Sequence, residues 1–178
     1  FGKDSSNFVD DGIKVERKVE LYEHQTVSLQ EIQKRRDAGI KAFLIVLPTA
    51  AGKSKIVEED LRTFAEGKQK FRGLILVPGV NLLLDWEERI KASLPELKDK
   101  IDIRTYAFAA RHYTDTTPDY YNYLIVDEAH HAVAPVLKRV VQYYRTAFTI
   151  GLTATDQRPD KRKLETVFGS YTTSLSLK

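Results

Sequence analysis

Four short apolar runs mark the chain: Ala42 to Leu47, Leu74 to Val77, Tyr123 to Val126 and Ala147 to Ile150. Runs that are apolar towards both sides are what strands buried inside a parallel sheet require, because helices cover both faces of such a sheet. Ile101 to Tyr106 is a further, more alternating strand candidate. Between these segments the spacing turns helical. Ile56, Leu61 and Phe64, then Leu83, Trp86 and Ile90, then Val133, Leu137, Val140 and Tyr144 each line one side of a helix. Upstream, the polar-rich run from Glu23 to Arg36, with Val27, Leu29 and Ile32 among its apolar positions, predicts a partly buried helix ended at Gly39. Lys34, Arg35 and Arg36 fall in its last turn, where cations suit the helix dipole.

Strand alternating with helix predicts right-handed crossovers and an α/β fold, a mostly parallel central sheet with helices on both faces. Residues 1–20 lack periodicity and read as a loose leader, and residues 21–178 as one domain. Thr114 to Asp119 is turn-like, and Tyr171 to Leu177 reads as a last strand or an exit towards a further domain. A chain of 178 residues with 42% hydrophobic content suits a single core. No run approaches the roughly 20 apolar residues of a membrane helix, and Phe1 to Ser5 carries no signal-peptide stretch. A cytoplasmic protein without membrane association is expected. Cysteine is absent, which excludes disulfides, thiolate metal sites and cysteine nucleophiles. Methionine is absent too, so the chain is expected to be part of something longer. The net charge of +3, from 28 basic and 25 acidic side chains, is far from that of an electrostatic nucleic-acid coat.

The strongest local signal is Pro48-Thr49-Ala50-Ala51-Gly52-Lys53-Ser54, set between an apolar strand and a helix. Backbone N–H groups at a helix start, with the positive end of its dipole, make an anion site, and glycine lets the backbone approach closely. Thr49, Ala50, Ala51 and Gly52 would cradle the phosphates of ATP, Lys53 would reach the β- and γ-phosphates, and the Ser54 hydroxyl would ligate magnesium. Leu47 stands where the full pattern has its first glycine, and the bland alternative is an ordinary strand-to-helix turn with an exposed lysine.

A second apolar strand runs straight into Asp127-Glu128-Ala129-His130. Carboxylates at the carboxyl end of such a strand project into the crevice where ligands of open α/β sheets bind. Asp127 can hold magnesium, and Glu128 can polarise the attacking water. The competing reading is a solvated acidic helix start that is chemically idle.

Further stretches fall in order around these two: Leu21-Tyr22-Glu23-His24-Gln25, Leu74 to Gly79 followed by Leu82 to Trp86, Thr105-Tyr106-Ala107, Gly151-Leu152-Thr153-Ala154-Thr155, and Phe168-Gly169. The ordered set resembles the amino-terminal, RecA-like motor domain of superfamily 2 helicases of the DEAH type, especially the branch containing restriction-enzyme motor subunits. The resemblance implies that Gln25 reads the adenine edge, with Tyr22 as a stacking neighbour. It implies that the loop Pro78-Gly79 and the Thr105 segment touch the nucleic-acid backbone. It also implies that Thr153 and Thr155 couple the nucleotide site to the nucleic-acid side, with His130 as the polar link. ATP hydrolysis with magnesium, acting on nucleic acid, DNA rather than RNA, is the implied activity. A second RecA-like domain would supply arginines to the γ-phosphate, and no Gln-x-x-Gly-Arg-x-x-Arg pattern occurs here.

Two positions depart from the family pattern. Ala50 replaces a glycine, placing a methyl group in the phosphate loop, and Asp156 replaces a proline after Thr155. Both fit an alternative function, a nucleic-acid-binding or sensor module that holds ATP without productive turnover. Each minor motif keeps a plain reading as well: Gln25 a surface helix residue, Trp86 a core side chain, Thr153 and Thr155 strand-end hydroxyls, and Lys161-Arg162-Lys163 a solvated helix face.

Overall fold

The computed structural model describes residues 26–46, 53–153 and 174–176. Residues 26–37 form helix α1. Gly39, at φ +91°, then ends it: its N–H reaches the Arg36 carbonyl and the Ile40 N–H reaches that of Arg35. That pairing satisfies orphan carbonyls of the last turn and needs a residue without Cβ strain in the left-handed region. The elements that follow are β1 (Ala42–Val46), α2 (Lys53–Ala65), β2 (Gly73–Val77), α3 (Val80–Ser93), β3 (Ile101–Thr105), α4 (Tyr106–His112), β4 (Tyr123–Asp127), α5 (Pro135–Tyr143), β5 (Phe148–Thr153) and β6 (Ser174–Ser176).

The strands form one sheet in the order β3-β2-β4-β5-β1-β6, and every pairing is parallel. β2 and β4 are buried at every position, as their unbroken apolar runs require. β3 alternates, with Ile101 and Ile103 buried and Asp102 and Arg104 half-buried, because it lies at the edge of the sheet. One face is covered by α1, α2 and α3 through Ile32, Ile56, Leu61, Phe64, Trp86 and Ile90; the other carries Ala109 of α4 and Leu137, Val140 and Val141 of α5. This is the expected α/β architecture with helices on both faces.

A polar cluster is buried under the first face. Arg36 of α1 donates to Asp60 of α2 at 2.6 Å, the Tyr123 hydroxyl of β4 donates to the same Asp60 oxygen at 2.5 Å, and the Arg36 guanidinium lies 4.1 Å from the centre of the Phe148 ring. Burial and the Asp60 carboxylate push the Tyr123 phenol well above its ordinary range, so it remains a donor.

Three boundaries differ from the sequence pattern. β5 runs past Ile150 to Thr153, since Gly151, Leu152 and Thr153 are buried against β1 and β4. β3 stops at Thr105, whose hydroxyl accepts from the Phe108 N–H at 3.2 Å and so caps α4, a helix with too little apolar spacing to be legible. The helix expected to include both Val133 and Tyr144 is divided: Ala129–Val133 is a 3-10 turn, and Tyr144 lies just beyond α5. Pro135 is the cause, because its ring keeps Ala134 extended at φ −61°, ψ 136°. The expected leader 1–20 and the bounds Tyr171 and Leu177 of the expected last strand lie outside the described residues, while β6 falls within that strand.

Candidate nucleotide site

Parallel strands bring their carboxyl ends to one edge of the sheet, so the sequence segments there follow the strand order. Thr105 ends β3, Pro78 and Gly79 follow β2, Asp127 ends β4, Thr153 ends β5, and Lys53 opens α2 beyond β1. Neighbouring strands stand about 5 Å apart, so the β3 and β1 ends are separated by on the order of 20 Å. The acidic turn after β4 occupies the space between them.

That turn is held from several sides. Asp127 is only 6% exposed, and each carboxylate oxygen accepts an N–H: Oδ2 from the Trp86 indole at 2.9 Å and Oδ1 from the Glu128 backbone at 2.9 Å. Glu128 adopts a left-handed conformation, φ 53° and ψ 50°, the one positive φ among described non-glycine residues. Such a conformation costs on the order of 1–3 kcal/mol and persists only where the surroundings impose it. Here the Tyr106 hydroxyl donates to the Asp127 carbonyl and, at 3.2 Å, to that of Glu128, which also accepts the His131 N–H at 3.0 Å. Burial, then the nearby Asp127 and Glu128 carboxylates, push the Tyr106 phenol far above its usual range, so it stays protonated and donating.

His130 lies between the turn and β5, its Nδ1 3.3 Å from Thr153 Oγ1 and 3.7 Å from Glu128 Oε2. Thr153 is fully buried. Asp127, Glu128, His130 and Thr153 thus form one cluster. Ser54 is half-buried in the first turn of α2. Gly79 caps α3 beside exposed Pro78, next to the capping Thr105 on the adjoining strand, with Val77 and Thr105 in register. Tyr22, Gln25, Thr49, Ala50, Ala51, Gly52 and Thr155 lie outside the described residues.

Sequence reasoning missed the polar roles of Trp86 and Tyr106. A signal existed for Trp86, since a tryptophan on the buried face of a helix must find an acceptor for its indole N–H.

The double acceptance by Asp127 has a measurable consequence. Asparagine can offer one oxygen but would turn its NH2 towards a second N–H, leaving a buried donor unpaired. Asp127→Asn is expected to destabilise the fold by about 1–3 kcal/mol, read as a lower denaturation midpoint without any ligand; an unchanged midpoint would refute the bidentate geometry.

The donor set suits a small, hard cation. Asp127 offers carboxylate oxygen and Ser54 a hydroxyl, and among the described residues no three of His, Cys, Asp and Glu converge into a metal cluster. Magnesium is usually held by one or two protein oxygens together with phosphate oxygens and water, so these residues fit a magnesium–nucleotide complex.

Comparison with known proteins shows the family and the fold. The family model described as "Type III restriction enzyme, res subunit" matches residues 18–108 and 98–158. The chain is 30% identical over 159 residues to the DNA 3'-5' translocase XPB2 of Sulfurisphaera tokodaii, covering 82% of this chain and 33% of that protein. It is 31% identical over 156 residues to the putative ATP-dependent helicase IRC3 of Saccharomyces cerevisiae, covering 72% of this chain and 22% of that one. The chain therefore spans a third or less of these curated relatives. The Hef helicase domain of Pyrococcus furiosus superposes with a TM-score of 0.69 over 86% of this chain and 38% of its own, at 19% identity, a likeness of fold.

Proposed function

Because the chain belongs to the family of type III restriction enzyme res subunits, superfamily 2 helicase domains of RecA-like fold, we propose that it is the ATP-binding half of an ATP-dependent nucleic-acid helicase or translocase. The observation that carries this reading is the Asp127–Glu128 turn, with Asp127 buried and pinned and Glu128 half-buried, at the carboxyl edge of the sheet between the start of α2 and the segments after β2 and β3. In this reading residues 49–54 bind the phosphates, with Lys53 as the cation and Gln25 and Tyr22 holding the adenine. Ser54 and Asp127 would hold magnesium, which when bound would offset phosphate charge. Glu128 orients the attacking water and takes its proton. His130 links the Glu128 carboxylate to Thr153 and onward to Thr155, while Pro78, Gly79 and Thr105 meet the nucleic-acid backbone, DNA in first place. We assign residues 1–20 to a leader and residues 21–178 to the domain, and a second RecA-like domain would complete the site. Among the described residues no helix is long and apolar enough to cross a membrane; we assign the protein to the cytoplasm.

Calorimetric titration with a non-hydrolysable ATP analogue and magnesium tests the nucleotide site. Binding that is weakened, not abolished, when magnesium is chelated is expected, and the absence of any binding with magnesium present overturns the reading. Hydrolysis by the isolated chain is expected to be poor, because charge developing on the γ-phosphate lacks the arginines of a second domain. Robust multiple turnover by residues 1–178 would sink the two-domain scheme.

Nucleic-acid binding is expected to be weak, steeply salt-dependent and blind to sequence, since the Gly79 backbone N–H and the Thr105 hydroxyl suit phosphates and sugars rather than base edges. Fluorescence anisotropy with unrelated duplexes at low and high salt checks this. A preference for one sequence that survives high salt would contradict it.

A further inference from the structure

Trp86 is the one tryptophan in the chain, and its position is unusual for a core aromatic. It lies on the buried face of α3, 3% exposed, among Ile75, Val77 and Ile90 of the first core, and a phenylalanine there would serve packing alone. Burying an indole N–H costs free energy unless it finds an acceptor, and the acceptor it finds is the Asp127 carboxylate at 2.9 Å. Asp127 in turn is a nearly buried carboxylate with no ion-pair partner among the described residues; two N–H dipoles, one from Trp86 and one from Glu128, hold it. The Glu128 N–H belongs to the same turn and moves with it. Trp86 alone of the two ties the carboxylate to a separate, packed helix.

We propose that Trp86 is a positioning residue for magnesium–nucleotide binding, its indole N–H fixing the plane of the Asp127 carboxylate so that the cation meets a preset ligand. This inference rests on the proposed nucleotide site. A carboxylate free to turn about its χ angles must be ordered when a cation arrives; one already clamped at both oxygens has lost that freedom during folding. α3 begins at Val80, directly after Pro78-Gly79, so the helix that sets the metal ligand starts in the segment proposed to meet nucleic acid. The same indole, in direct contact with the carboxylate, is also a built-in fluorescent reporter of that contact.

The test uses the 178-residue chain in three forms: unaltered, Trp86→Phe, and with benzothienylalanine at position 86, which keeps the bicyclic shape and replaces only the N–H by sulfur. Magnesium affinity is measured by calorimetry at a fixed concentration of ATP analogue, with nucleotide affinity in chelator as the control and thermal melting as the check on folding. Loss of an outer-shell hydrogen bond typically weakens metal affinity about 10- to 100-fold. A loss of that order is expected in both altered forms, with unchanged nucleotide affinity in chelator and, for the benzothienyl form, a melting temperature close to that of the unaltered chain. In the unaltered chain, magnesium–nucleotide should change the Trp86 emission while nucleotide in chelator leaves it unchanged. Equal magnesium affinity in the unaltered and benzothienyl forms overturns the role of Trp86 while leaving the nucleotide site standing. Failure of the unaltered chain to bind magnesium–nucleotide overturns the site and this inference together.

Discussion

Replacing Glu128 by glutamine is expected to lower kcat for ATP hydrolysis in the two-domain protein by about a hundred- to ten-thousand-fold, the usual contribution of a general base, with little change in nucleotide affinity. The structure makes this a clean substitution. The left-handed backbone at Glu128 is held through its carbonyl, which accepts from the His131 N–H at 3.0 Å and, at 3.2 Å, from the Tyr106 hydroxyl, contacts that a side-chain substitution leaves in place. Glutamine keeps that backbone and the length of the side chain and removes only the negative charge. Lys53→Ala provides the contrast: a cation that holds ground-state phosphates affects binding as well as turnover, so both should fall. Titration with a fluorescent ATP analogue and a phosphate-release assay separate the two. Near-normal turnover in Glu128→Gln would return the Asp127–Glu128 pair to an acidic turn without chemistry.

Asp60→Ala is expected to cost about 3–5 kcal/mol of stability, the penalty of leaving a buried charge uncompensated. Asp60 is 2% exposed and accepts from both Arg36 and Tyr123, so its removal strands a guanidinium and a phenol between α1, α2 and β4. The Arg36 Nε is already buried without a partner, and beyond Asp60 the guanidinium keeps a bond to Gln33 Oε1 at 2.8 Å. For a chain of this size that free energy corresponds to roughly 2–4 °C in Tm for each kcal/mol. The triple replacement Arg36→Met, Asp60→Leu and Tyr123→Phe should lose much less, because it removes the donors together with the acceptor. Urea denaturation of the single and triple variants decides the matter; a single variant as stable as the triple would show that the cluster contributes packing only. The link also has a bearing on the site: α1 follows the segment containing Gln25, and α2 begins at Lys53, so Arg36 and Asp60 join the helices next to both halves of the proposed nucleotide cradle.

Much of this molecule follows from local rules that act along the chain. Runs such as Leu74 to Val77 and Tyr123 to Val126 are apolar towards both sides, and a segment of that kind can only be stable with helices above and below it. Strand β3 was legible as an alternating strand through Asp102 and Arg104, and its edge position came from the sheet order. The carboxyl-edge placement of Asp127, Glu128, Thr153 and Lys53 follows once the strands are parallel, since each lies at a strand-to-helix or strand-to-turn junction. Composition, spacing and hydrophobic pattern therefore determined the fold class and the segments from which a site could be built.

Tertiary structure decided what those segments do to one another. The helix α4 forms because Thr105 caps it and Ala109 finds the second core, neither of which is a periodic signal. Val133 was divided from Tyr144 by Pro135, a local cause whose effect depended on where the acidic turn had to end. Above all, the pattern marks Trp86 as buried and Asp127 as a strand end, but a hydrogen bond between residues 41 positions apart depends on α3 crossing β4 at one height. Burial along a helix is periodic and can be read from one chain segment; the pairing of buried polar atoms is a matching problem between segments, and it is solved only when both are packed in place.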